Sequence, residues 1–371
     1  RLPDGRYRAF ESEGSGADRI RGNAIGRTRT EARLLAAARV AKKRREAALE
    51  PHTLTLAAYL KRWMTHLKTQ GRGAKSLARY ESICDRIPAA VAQRKLADLR
   101  PLQLQKWLDD AKLAAATRRK QYAVLHAALA QAVAWRLLIA NPMDSVAKPA
   151  LEPSEQAALG EAETAALLTK LQGTRYWAPA IVAATAGLRR GELLALRWRE
   201  VDLEAGRIHV RRSRSGYRDK GRGMVIHEGA TKTGRGRVVD LDPGTIEVLK
   251  AYRLARGALA LQLIRPDAYV VANEEGQPIH PDRFTRRFTD SVASCQKHLG
   301  EDGTERLPTI RLHDLRHTHA SLLLGAGIPV KVVSERLGHA SATITLNTYQ
   351  HVLPGMQQEA AAKFASLIQG A

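Results

Sequence analysis

A tyrosine, two arginines, a lysine and two histidines in the C-terminal half of the chain are of the types that activate and attack a phosphate ester. They sit in five short patterns. These are Ala186-Gly187-Leu188-Arg189-Arg190-Gly191-Glu192-Leu193; Thr231-Lys232-Thr233-Gly234-Arg235-Gly236-Arg237-Val238-Val239-Asp240-Leu241; His313-Asp314-Leu315-Arg316-His317-Thr318; Leu337-Gly338-His339; and Thr345-Leu346-Asn347-Thr348-Tyr349, with His351 just beyond. Arg189 and Arg316 lie in helix-forming contexts, where burying a guanidinium is costly unless it meets an anion. Guanidinium forks match phosphate oxygens two at a time. Two of them can hold both non-bridging oxygens of one phosphodiester and stabilise the added charge of a pentacoordinate transition state. His313 stands one helical turn before Arg316, on the same face. His339, following Gly338 at the end of a predicted helix, is a further donor. Tyr349 is a candidate nucleophile, and its free pKa of about 10 means that it needs a cationic pocket to shed its proton. Lys232 falls in a predicted hairpin loop, from which it can reach a leaving oxygen as a general acid.

The same residues make a poor metal site. His313 and His317 are spaced to share a helix face, but Asp314 follows His313 where the metalloprotease pattern has Glu, and His319 falls on another face. Gly14 and Gly16 open no phosphate loop, because no Gly-Lys-Ser/Thr follows. No metal and no nucleotide cofactor is implied. The two cysteines, Cys84 and Cys295, are far apart, which argues against a disulfide framework and fits a reducing cytosol.

These groups need a scaffold, and 371 residues suffice for two or three domains. Lys and Arg number 60 against 37 Asp and Glu, a formal net charge of +23. Hydrophobic residues make up 44%, enough for ordinary cores, which excludes a disordered basic tail. Aromatics at 5% argue against a base-stacking platform for single strands. A charge this far from neutrality calls for a polyanionic partner, most simply nucleic acid. The charge is uneven: +6 over residues 1–50, +11 over 51–150 and +6 over 151–371. One domain thus grips a polyanion while another does something more selective. No apolar run approaches the roughly 18 residues of a membrane span, and Arg1-Leu2-Pro3-Asp4-Gly5 does not open a signal peptide.

Residues 1–50 read as a small β-plus-helix module. A strand-like alternation over Arg6-Tyr7-Arg8-Ala9-Phe10 gives way to glycine-rich residues as far as Gly26, then to a helix capped by Thr28 or Thr30. Residues 51–145 read as four to five helices without a strand. Thr55 caps the first, whose Leu56, Tyr59, Leu60, Trp63 and Leu67 form one buried face. Helices over 76–92, 101–111 and 117–138 follow, the last capped by Thr117 and stopped by Asn141-Pro142. Arg72, Lys75 and Arg79, and again Arg118, Arg119 and Lys120, gather near helix starts, where backbone N–H groups and basic side chains both suit phosphate. A linker covers 146–160. Residues 161–371 read as mixed, with helices at 161–171, 177–186 and 190–197. Strands are expected near 207–213, 236–241 and 268–272, and helices from 281 on. The expected class is mainly α with small β elements (α+β).

The order of the patterns resembles the tyrosine recombinase family, specifically phage-type and integrative-element integrases. Gly-Leu-Arg-x-x-Glu-Leu, Thr-Lys-Thr before a strand, His-x-Leu-Arg-His-Thr, Leu-Gly-His and Thr-Tyr-x-His appear in family order from about residue 155 to 371. The resemblance implies a mixed catalytic domain over 161–371, a core DNA-binding domain over 51–145 and, more loosely, an arm-type DNA-binding module over 1–50, open to completion by residues before Arg1. It implies that Arg189 and Arg316 activate the phosphate, that Glu192 supports the site and that His313 assists proton transfer. It also implies that Lys232 protonates the departing 5′ oxygen, that His339 fills the family's His-or-Trp position and that Tyr349 forms a 3′-phosphotyrosyl link. Ala186 stands where many members have Thr, and His339 and Tyr349 are ten apart where some members show nine. Lys220 competes with Lys232 but lies outside the Thr-Lys-Thr pattern. The phosphotyrosyl ester keeps the energy of the broken bond, so rejoining needs neither ATP nor metal. The implied partners are double-stranded attachment-site DNA and three further copies of the chain in a tetramer, with room for an accessory DNA-bending or directionality protein. The implied setting is a bacterial cytoplasm, on DNA. Gln357 to Ile368 reads as an amphipathic helix, with Ala361, Phe364, Leu367 and Ile368 apolar, that docks on a neighbouring subunit as in the family or packs on its own domain. Three rival readings stand beside this one: a type IB topoisomerase, a non-catalytic DNA-binding regulator on the same fold, and a metal nuclease.

Overall fold

The chain folds, in a computed structural model, into two units, Arg1–Pro153 and Ser154–Ala371. The structure describes residues 1–13, 20–47, 53–151, 158–231, 234, 236–297, 310–349, 362 and 364–368.

In the first unit, β1 (Tyr7–Glu13) pairs antiparallel with β2 (Ile20–Gly26), and α1 (Arg29–Ala47) packs on this hairpin through Ala32, Ala36 and Val40. Thr28, not Thr30, caps α1: its hydroxyl accepts from Glu31 N at 3.1 Å, and the Glu31 carboxylate accepts from Arg27 N at 2.7 Å. The second strand was not expected from the glycine-rich run that forms it.

The helices that follow are α2 (Leu56–Thr69), α3 (Ala74–Cys84), α4 (Ala89–Ala92), α5 (Pro101–Asp110) and α6 (Ala115–Ala134). Thr55 caps α2 as expected, accepting from Ala58 N at 3.3 Å. Leu56, Tyr59, Leu60 and Trp63 are buried, together with Met64, while Leu67 packs at the margin. The single helix expected over 76–92 is two, because Pro88 lacks an N–H and disfavours helical backbone before it. Helix α6 starts at Ala115, so Thr117 lies in its first turn and is not its cap. No strand occurs among the described residues between 56 and 151.

The second unit runs α7 (Glu161–Lys170), α8 (Trp177–Ala186), α9 (Arg190–Ala195), β3 (Val201–Asp202), β4 (Arg207–Val210), β5 (Arg212–Asp219), β6 (Gly223–Ala230), β7 (Arg237–Asp240), α10 (Pro243–Leu259), α11 (Pro281–Lys297), α12 (Leu312–Gly325), α13 (Val330–Leu337) and α14 (Ala342–Tyr349). Strands β3, β4 and β7 form an antiparallel sheet in that order, and β5 and β6 form a separate hairpin. The strand expected near 207–213 breaks at Arg211 into β4 and the start of β5; β4 pairs directly with β7, the strand expected near 236–241, and the stretch between them forms a hairpin that was not expected. Residues 268–272 form no strand; Tyr269 and Ala272 make only isolated bridges, to Arg197 and Pro278. The mainly helical α+β class is as expected.

The core of this unit joins Leu193, Trp198, Ile208, Val239, Phe284, Phe288 and Leu315. Helix α8 is buried nearly all round by small residues, Ala178, Ala180, Ala183, Ala184 and Ala186, which lets α12 pack close beside it. The β5–β6 hairpin is fastened by charge. Glu228 accepts from Arg214 at 2.8 Å, Arg197 at 3.2 Å and the Tyr269 hydroxyl at 3.0 Å, while the Arg214 and Arg197 guanidiniums lie over the Tyr269 ring. Near the C-terminus, Phe364, Leu367 and Ile368 are exposed and helical, whereas Ala361 lies outside the described residues. No helix among the described residues is long and apolar enough to cross a membrane.

Candidate functional site

Helix α8 ends on Gly187, whose φ of +61° is left-handed and which has no room for a side chain against His319 and Leu337. The chain then turns through Leu188, and Arg189 becomes the cap residue of α9. Glu192, in the first turn of α9, accepts from Arg189 N at 3.0 Å and Arg189 Nη1 at 2.8 Å. Arg237, at the start of β7, adds a two-pronged contact to the same carboxylate, Nη1 to Oε1 at 3.0 Å and Nη2 to Oε2 at 2.8 Å. Burial pushes the Glu192 carboxyl up, but the Arg237 hydrogen bond and the charges of Arg237 and Arg189 outweigh it and hold the group below the usual carboxylate range. Glu192 is thus a fixed anion between two fixed cations.

Arg316 sits in α12, which starts where Asp314 accepts from Arg311 N at 2.7 Å. Its side chain is buried and donates to two backbone carbonyls, Gly187 at 2.7 Å and Leu337 at 2.8 Å. Arg189 Nη2 donates to the Gly338 carbonyl at 2.7 Å, Arg237 Nε to the Arg336 carbonyl at 2.8 Å, and Arg336 Nη2 to the Thr185 carbonyl at 2.8 Å. All five acceptors belong to the C-terminal ends of α8 and α13, where carbonyls lack helical partners and carry the negative end of the dipole. Four guanidiniums are therefore tolerated together because two helix ends converge on them. Burial, then the charge of Arg189 against that of Glu192, lowers Arg316 to about 9, so it remains a cation at neutral pH.

The imidazoles divide by environment. His339, after the left-handed Gly338 that ends α13, is half-buried, and its Nδ1 lies 2.7 Å from Thr345 Oγ1. Burial and then Arg316, Arg189 and Arg237 press it down to about 4. His313 keeps an open surface at the start of α12, yet desolvation by neighbouring atoms, then His317 and Arg316, also lowers it to about 4. Both are neutral at pH 7. His319 is a core residue. Its Nε2 accepts from Arg336 Nε at 3.1 Å, so Nδ1 carries the proton and donates to the Ala184 carbonyl at 2.8 Å.

Tyr349 ends α14 and is 2% exposed, packed on Ala320, Leu324, Val333 and Leu337. Its hydroxyl lies 3.0 Å from His317 Nδ1. Burial raises the phenol's pKa while the charges of Arg316 and Arg189 pull it down. The cationic pocket that the sequence required for this tyrosine is present, and the tyrosine is covered and protonated within it.

Arg189, Glu192, Arg316, His339 and Tyr349 are thus brought together, with His313 beside them through its ring contact to His317, centroids 4.9 Å apart. Lys232 lies outside the described residues, between β6 and β7. Arg237 and His317 were missed as members of the site. Arg237 had a signal, as the cation that opens the Val238-Val239 strand just after the Thr-Lys-Thr pattern; His317 had one as the imidazole next to Arg316. In the first unit, Arg72, Lys75, Arg79 and Lys120 are exposed. Arg119 is instead engaged, donating to the Pro149 carbonyl at 3.1 Å, and Arg118 has a buried Nε.

The geometry has counterparts in known proteins. The model of the phage integrase family matches residues 158–355, more than half of the chain. A tyrosine recombinase XerC-like protein of Caldanaerobacter subterraneus subsp. tengcongensis is 32% identical over 202 residues, covering 51% of this chain and 49% of that protein. The ICEBs1 integrase of Bacillus subtilis is 32% identical over 190 residues, covering 50% of this chain and 48% of the relative. The match thus spans about half the length of these relatives. Among solved structures, the Tn1549 transposon integrase in complex with a circular intermediate DNA superposes with a TM-score of 0.67 at 20% identity, over 80% of this chain and 95% of that one, a likeness of fold. With the family pattern matched across the unit that carries Arg189, Arg316 and Tyr349, the chain belongs to the phage integrase family.

Proposed function

We propose that the chain is a site-specific DNA recombinase, an integrase that cuts and rejoins duplex DNA through a 3′-phosphotyrosyl intermediate to integrate or excise a mobile element. The observation that carries this reading is the meeting of two arginine cations, Arg189 and Arg316, with one tyrosine hydroxyl inside one unit. In the proposed reaction the scissile phosphate enters between the two guanidiniums, which stabilise the charge of the pentacoordinate state. His339 and His313, neutral at pH 7, add hydrogen bonds and proton traffic. Tyr349 attacks phosphorus and Lys232 protonates the departing 5′ oxygen. Glu192, fixed by Arg237, keeps Arg189 in place.

The remaining assignments belong to the same reading. The helical domain over 51–145, the most basic stretch, holds the DNA, with exposed Arg72, Lys75, Arg79 and Lys120 as phosphate contacts. The hairpin-and-helix module over 1–50 binds arm-type sites. Four copies act together and exchange C-terminal helices, for which the exposed Phe364, Leu367 and Ile368 are suited.

The test is incubation with duplex DNA bearing a nick near the candidate cleavage point, followed by a denaturing gel. A covalent protein–DNA band that maps to one position supports the reading. Relaxation of supercoiled DNA with no preferred site would support the topoisomerase alternative.

A further inference from the structure

The chemistry proposed above needs a group to take the proton from Tyr349 as its oxygen attacks. The charges that reach the hydroxyl are those of Arg316 and Arg189, which are already protonated and can only donate. His339 has its Nδ1 against Thr345, and His319 has both ring nitrogens engaged. His313 stands behind the His317 ring. Among the described residues, the basic atom in hydrogen-bond contact with the hydroxyl is His317 Nδ1, at 3.0 Å.

We propose that His317 is the proton acceptor for Tyr349 in cleavage and the proton donor to it in rejoining, an inference that rests on the recombinase reading. With its proton on Nε2, His317 offers a free lone pair at Nδ1, and the phenol donates to it. As Tyr349 Oη bonds to phosphorus, the Oη proton passes to Nδ1 and the bond from phosphorus to the 5′ oxygen breaks. That oxygen leaves with a proton from Lys232. The products are an imidazolium at His317, a neutral amine at Lys232, a 5′-hydroxyl and a 3′-phosphotyrosine. In rejoining, a 5′-hydroxyl attacks phosphorus and returns its proton to Lys232, and the phenolic oxygen departs with the proton held on His317. Each proton is accounted for without water.

The surroundings suit the role. The groups facing His317 are Tyr349 from α14 and His339 from the segment after α13, with His313, Asp314, Arg316 and Arg311 from its own end of α12. Burial, only partly opposed by Asp314, holds His317 below the ordinary histidine range, so it is neutral and able to accept at pH 7. Its ring edge meets His313, which keeps an open surface, so charge gained at His317 is placed one ring from solvent.

The experiment measures single-turnover covalent-complex formation by the full chain. The probe is a nicked duplex carrying the end sequences of the element that encodes it, and pH is varied from acid to alkaline. His317→Asn keeps an acceptor near the Nδ1 position but takes up no proton, and His317→Ala removes both. The expected result is a fall of about 10²–10⁴-fold for both variants, with DNA affinity unchanged. The parental loss of rate on the acid side, where His317 becomes protonated, should also be missing from both. A parental rate in His317→Asn, or a slow variant that keeps the parental pH profile, would overturn the proposal and leave the recombinase reading standing. No covalent band with the parent chain, or a band with Tyr349→Phe, would overturn both. Thermal unfolding and DNA binding of His317→Asn, recorded alongside, separate loss of chemistry from loss of fold.

Discussion

Replacing Glu192 by Gln is the sharpest test of how the site is held. The carboxylate accepts four hydrogen bonds, two from Arg189 and two from Arg237, and its side chain is 1% exposed. The amide keeps the shape but turns one oxygen, which accepts two of these bonds, into a donor that faces two donors. Hydrogen bonds to charged groups contribute about 1.5–3 kcal/mol each, and removing one member of a buried ion pair costs about 3–5 kcal/mol. The Arg237 side chain is 12% exposed and should show most of that cost; Arg189, at 30%, is eased by solvent. A loss of about 3 kcal/mol follows. With a urea slope of about 1–3 kcal/mol/M, this moves the unfolding midpoint by on the order of 1 M at pH 7. The effect has a sign in pH. The folded carboxyl sits below its ordinary value, so its stabilisation is complete above the unfolded pKa, about 4.3, and is lost as pH falls through the folded one. Parent and variant should therefore converge in acid. Urea titrations of both proteins at several pH values are the assay. Equal midpoints at pH 7, or a gap that persists undiminished in acid, would refute the claim that Glu192 is a charged strut.

Other outcomes follow from the same geometry. Tyr349→Phe should abolish covalent attachment to nicked DNA while leaving affinity nearly unchanged, and a trapped adduct from the Phe variant would remove the nucleophile assignment. Arg316→Ala should slow cleavage by about 10²–10³-fold, by analogy with a lost oxyanion donor; a parental rate in single turnover speaks against the two-arginine clamp. Lys232→Ala should be rescued by a substrate with a 5′-bridging sulfur, which leaves without a proton, and absence of rescue moves the acid role to another group such as Lys220. DNA affinity should fall steeply as salt rises, since phosphate contacts release counterions, whereas cleavage should persist in a chelator; cleavage abolished by the chelator would favour the metal nuclease.

Legibility in the sequence tracked the apolar signal. Helix α2 could be read because Leu56, Tyr59, Leu60 and Trp63 carry its buried face. Strand β2 could not, because its inward positions are Gly22, Ala24 and Gly26, and a side chain at Gly22 would meet the Ala36 carbonyl of the helix packed against it. Close packing by small residues leaves no hydropathic alternation. Hairpin β5–β6 was hidden for the opposite reason: its buried positions are Arg214 and Gly216, and a buried arginine looks like a surface residue until its partner Glu228 is seen. The site followed the same rule. Arg189, Arg316 and Tyr349 were legible from their chemistry and order, whereas Arg237 and His317 became visible only through the contacts they make with Glu192 and Tyr349.

The way Arg316 is held has a consequence for how such a protein can change. Among the described residues its hydrogen bonds go to main-chain oxygens, at Gly187 and Leu337, and every residue type carries such an oxygen. Its aim is therefore nearly indifferent to which side chains surround it, provided that the two helix ends keep their shape. Redesign of the outer surface toward a new DNA sequence can proceed by many exchanges without disturbing this cation. The vulnerable positions are few and lie in the backbone. Gly187 and Gly338, both at positive φ, are where a single added methyl group would turn the carbonyls away.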